Sequence, residues 1–445
     1  MDIIGLVPSF GGFIWTIGAF IIALSIIVAV HEYGHYIVGR WSGIEADVFS
    51  IGFGPVLASR VDKRGTRWQV AALPLGGYVK FKGDANAASA KGDEEELSHL
   101  TPEERRATMH GAPLWARAAT VLAGPVFNFV LSFIVFAAVL LFRGVASDPL
   151  TIEDLRPLPG NYTLEAGDEI VAIAGETTPE LDGFDGFLDR LPVEPVLDYE
   201  VRRDGETLIV PGPFPYPSHA VAITPSSAAE EAGLQEGDVI RAVDGTPVFA
   251  FSQLREIVGE SGGEPMTLEV WRSGETLEVT LTPRRMDLPL EDGGFETRWL
   301  IGISGGLFFE PASETPTLAE AAEYGVDQTI FIIRSSLSGL YHMAAGAIST
   351  CNLSGPIGIA ETSGQAASAG WISFIWFIAV LSTAVGLLNL FPIPVLDGGH
   401  LVFHAWEALT GRPPSDRALN ALMTVGLGLM LMLMVFALTN DLFCP

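Results

Sequence analysis

Lysine is nearly missing from these 445 residues, and basic charge of any kind is thin: 25 Lys and Arg stand against 53 Asp and Glu, a net charge of −28. Such a surface repels phosphate, which excludes nucleic acid as a partner and disfavours anionic headgroups. All four lysines (Lys63, Lys80, Lys82, Lys91) fall in one stretch, and no Lys or Arg precedes Arg40. A secretory leader needs a basic start, a short apolar run and a small-residue cleavage site, so the opening MDIIGLVPSF is expected to stay in the mature chain.

Charge is also absent from long blocks, and what fills them is apolar: 49% of residues are hydrophobic and the mean hydropathy is +0.36. Residues 13–30 carry no charge and would span roughly 27 Å as a helix, close to the ~30 Å of a hydrocarbon core. Four transmembrane helices are expected, at about 13–38, 114–142, 371–390 and 419–440. Eleven basic residues lie between Gly39 and Arg117, which puts that loop in the cytoplasm and the N-terminus outside. Residues 145–327 then lie outside, and they hold 36 Asp or Glu against 10 Arg. Cys351 and Cys444 fall on the same outer side, where a disulfide survives, although their separation leaves pairing open.

The outer segment contains a repeat. Leu164-Glu-Ala-Gly-Asp-Glu-Ile-Val-Ala-Ile-Ala-Gly175 matches Leu234-Gln-Glu-Gly-Asp-Val-Ile-Arg-Ala-Val-Asp-Gly245, each a Gly-Asp turn entering an alternating strand. Two β-rich modules are expected, at 146–213 and 214–286. The stretch Ile223-Thr-Pro-Ser-Ser-Ala-Ala-Glu-Glu-Ala-Gly-Leu234 with its Gly237-Asp238 strand makes the second module resemble the PDZ domains attached to bacterial proteases; the first lacks the Ser-Ala-Ala stretch. A module that only spaces or shields the membrane part is the plainer reading. Residues 287–369 are read as a linker followed by an amphipathic helix along the outer membrane face. On the cytoplasmic side, two Gly-punctuated β-prone runs within 48–81 are read as a hairpin dipping into the membrane, and Asp84 to Arg106 as a loop or surface helix. The membrane core is thus expected in two parts, 1–145 and 370–445.

At the inner end of the first span stands His31-Glu32-Tyr33-Gly34-His35. Positions i and i+4 share a helix face, so both imidazoles can reach one metal ion while Glu32 serves its water as general base. Ionisable groups at membrane depth are costly unless they do something. Two His leave Zn2+ short of a third protein ligand. Asp397, in Asn389-Leu-Phe-Pro-Ile-Pro-Val-Leu-Asp-Gly-Gly-His400, arrives at the same depth after the third span, with Pro392 and Pro394 breaking the helix beside it. His400 and His404 form a rival i, i+4 pair, without a Glu between them.

With the His-Glu-Tyr-Gly-His motif, the Asn-Leu-Phe-Pro and Leu-Asp-Gly motifs and the PDZ-like modules in this order, the chain resembles the site-2 protease family. The resemblance implies an intramembrane zinc metalloendopeptidase performing regulated intramembrane proteolysis in a bacterial inner membrane, with its N-terminus and PDZ-like domains periplasmic. It implies substrates that are transmembrane segments of pre-trimmed membrane proteins, of the anti-sigma factor type, and also remnant signal peptides. His31, His35 and Asp397 are the implied zinc ligands, Glu32 the base, and Asn389 a holder of the substrate backbone. Pro392, Gly52 and Gly54 are further expected substrate-binding positions. The competing classes are a non-catalytic membrane scaffold that binds extracytoplasmic peptides, and a metal transporter. Neither needs the Glu between the two His.

Overall fold

The computed structural model describes residues 6–84, 99–179, 183–225, 227–290 and 294–444. They form two compact units, one of residues 1–139 with 318–445 and one of residues 140–317. Most of the polar stretch expected as a loop, 85–98, lies outside the described residues; its end forms a short helix, Pro102–Arg106, whose Thr101 and Glu104 make a reciprocal cap.

The first unit is helical. Its long helices are α1 (Leu6–Trp41), α2 (Leu114–Arg143), α3 (Leu318–Ala344), α4 (Pro356–Ser368), α5 (Trp371–Asn389), α6 (Asp397–Thr410) and α7 (Asp416–Phe443). Four are long and apolar enough to cross a membrane, over Gly12–Trp41, Leu114–Arg143, Trp371–Asn389 and Arg417–Phe443, close to the expected spans. Apolar side chains such as Ile134, Leu431 and Met432 stand exposed on them, the surface that lipid covers. Where lipid and core are equally oily, helices associate through small residues and polar contacts. That is how α2 meets α5: Ser132 Oγ donates to the Ala379 carbonyl at 2.8 Å, and Ser382 Oγ to the Asn128 carbonyl at 3.0 Å. A Cβ at Gly386 would stand 3.1 Å from Asn128 Cβ and from the Pro125 carbonyl.

No sequence pattern announces α4, which packs on α1; a Cβ at Gly364 would run into Thr16. Asp441 near the end of α7 accepts from the backbone N–H groups of Gly355 (2.7 Å) and Ile357 (3.0 Å), capping α4. Cys351 and Cys444 are bonded to each other, which settles the pairing that spacing alone leaves open.

Between α1 and α2 lies the expected hairpin, β1 (Ala46–Val61) and β2 (Arg67–Phe81). Gly52 (φ +90°) and Gly54 (φ +84°) bend β1, and the register sorts the two strands into four segments, in the order 77–81, 46–51, 67–71, 56–61. The bend must be glycine at 52, since a Cβ would stand 2.8 Å from the Leu73 carbonyl oxygen. The hairpin docks on α1 through rings: Trp68 lies 5.0 Å from Tyr36 and 4.4 Å from Phe49 between centroids, and Trp68 Nε1 donates to Asp62 at 3.1 Å.

The second unit is all β with short helices. Each half of the repeat builds a four-stranded antiparallel sheet. The first is β6 (Glu176–Thr177), β5 (Glu169–Ile173), β7 (Leu197–Arg203) and β8 (Glu206–Gly212); the second is β11 (Thr246–Pro247), β10 (Val239–Val243), β12 (Met266–Arg272) and β13 (Glu275–Leu281). The two share one electrostatic pin. Asp168, fully buried, accepts the Glu165 N–H and is gripped by Arg203; Asp238 does the same with Gln235 and Arg272, at 2.6 to 2.9 Å throughout. Residues 284–290 and 294–314, expected as a module end and linker, are woven into the unit. β14 (Arg284–Pro289) pairs with β15 (Phe295–Leu300), β16 (Ile303–Ser304) with β9 (Ala222–Ile223), β17 (Phe309–Pro311) with β4 (Ile152–Leu155), and β18 (Ser313–Glu314) with β3 (Val145–Ala146). Most of these strands are too short to show alternation and their partners are distant in sequence, so no local pattern marks them. Through β3 and β18 the chain enters and leaves the unit side by side.

Candidate metal centre

His31 and His35 lie one turn apart on α1, and their Nε2 atoms come within 3.1 Å. Asp397 opens α6 after the turn 390–396. Gly398 and Gly399 permit that tight turn, because a Cβ at either would collide with the backbone of residues 390–394. Asp397 Oδ2 then stands 3.1 Å from His31 Nε2 and 3.5 Å from His35 Nε2. Among the described residues this is the one cluster of His, Cys, Asp or Glu gathered closely enough to hold a metal ion. His400 and His404, the rival pair, do not form one.

The donor set fits zinc. Tetrahedral ligands at about 2.0–2.1 Å from the ion stand about 3.3 Å from one another, and the three separations here, 3.1, 3.1 and 3.5 Å, bracket that value. Asp397 Oδ2 is buried without a hydrogen-bond donor, as a metal-facing oxygen should be. His35 Nδ1 is engaged by the Thr120 carbonyl at 2.8 Å, which fixes the proton there and leaves Nε2 its lone pair.

Glycines set how closely the elements approach. At Gly124 of α2 an added Cβ would meet both His35 and His31 rings, and at Gly34 of α1 it would stand 2.5 Å from the Ala123 carbonyl. The β2 strand lies over the base: a Cβ at Gly77 would be 3.1 Å from Glu32 Cγ. His31, Glu32, His35, Asp397 and Gly77 line a cavity of about 300 Å³, shared with Asn389, Tyr78, His110, His400 and His404. Asn389 reaches it with one N–H tied to its own helix, donating to the Val385 carbonyl at 3.0 Å. Pro392, Gly52 and Gly54 do not line this cavity; they shape the turn and the bend nearby.

Several participants escape the motif reading. Arg117 of α2 makes a two-pronged ion pair with Glu407 of α6 (2.6 and 3.0 Å), and buried Asp84 faces His110 at 3.2 Å. Burial, then the Arg117 guanidinium, push His404 down to about 4, so it stands neutral. Asn128 is a polar side chain in a largely apolar span, and that is the signal that could have found it; Thr120 acts through its backbone carbonyl and Gly124 through a missing side chain, which leave no such mark.

A helix-borne His pair, a carboxylate from a distant segment and a Glu beside them, among membrane-spanning helices, define a membrane-embedded zinc hydrolase. The family model for peptidase family M50 matches residues 19–433, and the chain belongs to that family, the site-2 proteases. It is a zinc metalloprotease of regulated intramembrane proteolysis and a multi-pass protein of a bacterial inner membrane. It is 39% identical to a protein of Agrobacterium fabrum named a putative zinc metalloprotease, over 95% of this chain and 94% of that one. It is 36% identical to another so named from Rhizobium meliloti, over 96% of each. It is 33% identical to the regulator of sigma-E protease RseP of Salmonella typhimurium, over 96% of this chain and 98% of that one.

Proposed function

We propose that His31, His35 and Asp397 hold the zinc ion, that Glu32 is the general base, and that the substrate is a transmembrane segment of a membrane protein already trimmed outside. The observation that carries the reading is the meeting of Asp397 Oδ2 with both imidazoles at ligand spacing, from segments at opposite ends of the chain. Bound zinc supplies Lewis acidity to a water and to the scissile carbonyl. Glu32 takes the proton from that water as it adds to the carbonyl carbon and returns it to the departing amine nitrogen, so the C–N bond breaks with protons balanced.

A helical substrate hides its carbonyls in hydrogen bonds and must be held extended to be cut. The segment 77–81 is suited to holding it, because it sits at an edge of the hairpin sheet and lines the cavity beside Glu32. Asn389 offers its remaining amide groups across the cavity to the strand so formed. Gly52, Gly54 and Pro392 shape the backbone along its path.

The two repeat modules act as PDZ-like domains on the periplasmic side, filtering substrates by the bulk of their ectodomains. Similarity to RseP of Salmonella typhimurium supports an anti-sigma factor as the substrate type, with remnant signal peptides a second class.

The test is Glu32→Gln and Asp397→Ala in the full chain, with zinc content and cleavage of a model transmembrane peptide read together. Glu32→Gln should keep zinc and lose about 10²–10⁴ in rate, the usual share of a general base; Asp397→Ala should lose both. A scaffold with a structural metal would behave alike with either residue at position 32, and that outcome would sink the reading.

A further inference from the structure

Both zinc-facing nitrogens are Nε2, so each metal-competent imidazole must carry its proton on Nδ1 and needs an acceptor there. For His35 the acceptor is the Thr120 carbonyl at 2.8 Å. For His31 the neighbour is the side chain of Asn128, two turns further along the same face of α2, with its Nδ2 placed 3.2 Å from His31 Nδ1. That places donor against donor. At the other end of the same amide, Asn128 Oδ1 is buried without a hydrogen-bond partner. Oxygen and nitrogen of an amide are interchanged by a half-turn about the last side-chain bond. Made here, the half-turn ends the conflict and brings Oδ1 to His31 Nδ1–H.

We infer that Asn128 is a positioning residue of the metal centre, its amide oxygen accepting from His31 Nδ1–H so that Nε2 is presented to zinc. This rests on His31 being a zinc ligand. The surroundings of Asn128 hold it in place for that contact. It is fully buried, its backbone carbonyl is held by both Ser132 and Ser382, and Gly386 lets α5 close over it. Between Thr120 and Asn128 stands Gly124, whose missing side chain leaves the space both rings occupy. One face of α2 thus orients both imidazoles, with a backbone acceptor for one and a side-chain acceptor for the other.

The experiment measures zinc retention by the detergent-solubilised full chain against a competing chelator, for the parent, Asn128→Ala, Asn128→Asp and His31→Ala. Loss of an outer-sphere partner typically weakens a metal by about 10–100-fold, and that is the effect expected for Asn128→Ala. Asn128→Asp keeps an acceptor at the same reach and should hold zinc within a few-fold of the parent. Parent-like retention in Asn128→Ala overturns the inference. So does equal weakening in the Ala and Asp variants, which would mean the side chain matters for packing and not for its oxygen. If His31→Ala retains zinc like the parent, it is the ligand assignment that falls, a distinguishable result. Should Asn128→Ala fail to purify as a monodisperse protein, Asn128→Ser, too short to reach the ring, repeats the comparison with the same expected loss.

Discussion

A single methyl group at position 124 would fall against the rings of His35 and His31, the proposed zinc ligands. Glycine to alanine within a helix ordinarily stabilises it by about 1 kcal/mol. Here the added Cβ meets His35 and His31, and crowding a packed site costs about 1–3 kcal/mol, so the sign reverses. Gly124→Ala is expected to lower zinc occupancy and thermal stability together, measured by metal analysis and a melting curve; a more stable, fully loaded variant would refute the close approach. At this scale the sequence is most informative where chemistry is carried by charged or metal-binding types. His31, Glu32, His35 and Asp397 were legible as candidates because such groups are conspicuous in apolar surroundings, and the fold gathers three of them, His31, His35 and Asp397. Thr120 was not, since its backbone carbonyl makes the contact and any residue has one. Asn389 was legible as a candidate, but not its hydrogen bond to Val385, which depends on a rotamer.

Among the elements, the bent hairpin carries the boldest expectation. Proline at Val79 removes an N–H and clashes with its neighbours in a strand that pairs on one side with 46–51. Zinc content should be unchanged in Val79→Pro while cleavage of an otherwise good substrate fails; normal turnover would remove the edge from the mechanism. In the β unit, His219 is buried beside Val239, and burial first, then Arg156, push it down to about 4 against the pull of Asp238. The unfolded chain accepts a proton at about 6.5 and the folded one does not, so stability is full above that value and declines as pH falls towards about 4. Once corrected for the slowing of base-catalysed exchange itself, the protection of segment 239–243 against hydrogen exchange should therefore fall between pH 6.5 and 4 in the parent and respond less in His219→Gln. The strands of both repeat halves were readable from period-two alternation. Two- and three-residue strands such as β16 and β18 were not, because so short a run has no period and its meaning lies in a partner far along the chain.

For the whole molecule, the four spans and the inserted repeat unit followed from charge distribution and apolar run length. What these could not supply was the extent of the insertion. β3 pairs with β18, so the strands of the unit extend from Val145 to Glu314, and the limits of 146–286 expected from the repeat alone would cut through four strand pairs. Excising 145–314 across that closed neck should leave a membrane part that still binds zinc and now cuts substrates with untrimmed ectodomains, followed on gels with paired long and trimmed substrates. Continued refusal of the long form would count against filtering.

The two ends of the metal site are made at very different times. His31, Glu32 and His35 leave the ribosome early, whereas Asp397 follows roughly 360 residues later, which is ~20–70 s at synthesis rates of about 5–20 residues per second. Throughout that interval the nascent chain carries Glu32 and both imidazoles but lacks the Asp397 carboxylate that the proposed zinc site needs. On the proposed assignment, a polypeptide that stops short of Asp397 lacks a zinc ligand, and proteolytic competence would arrive only with the last helices.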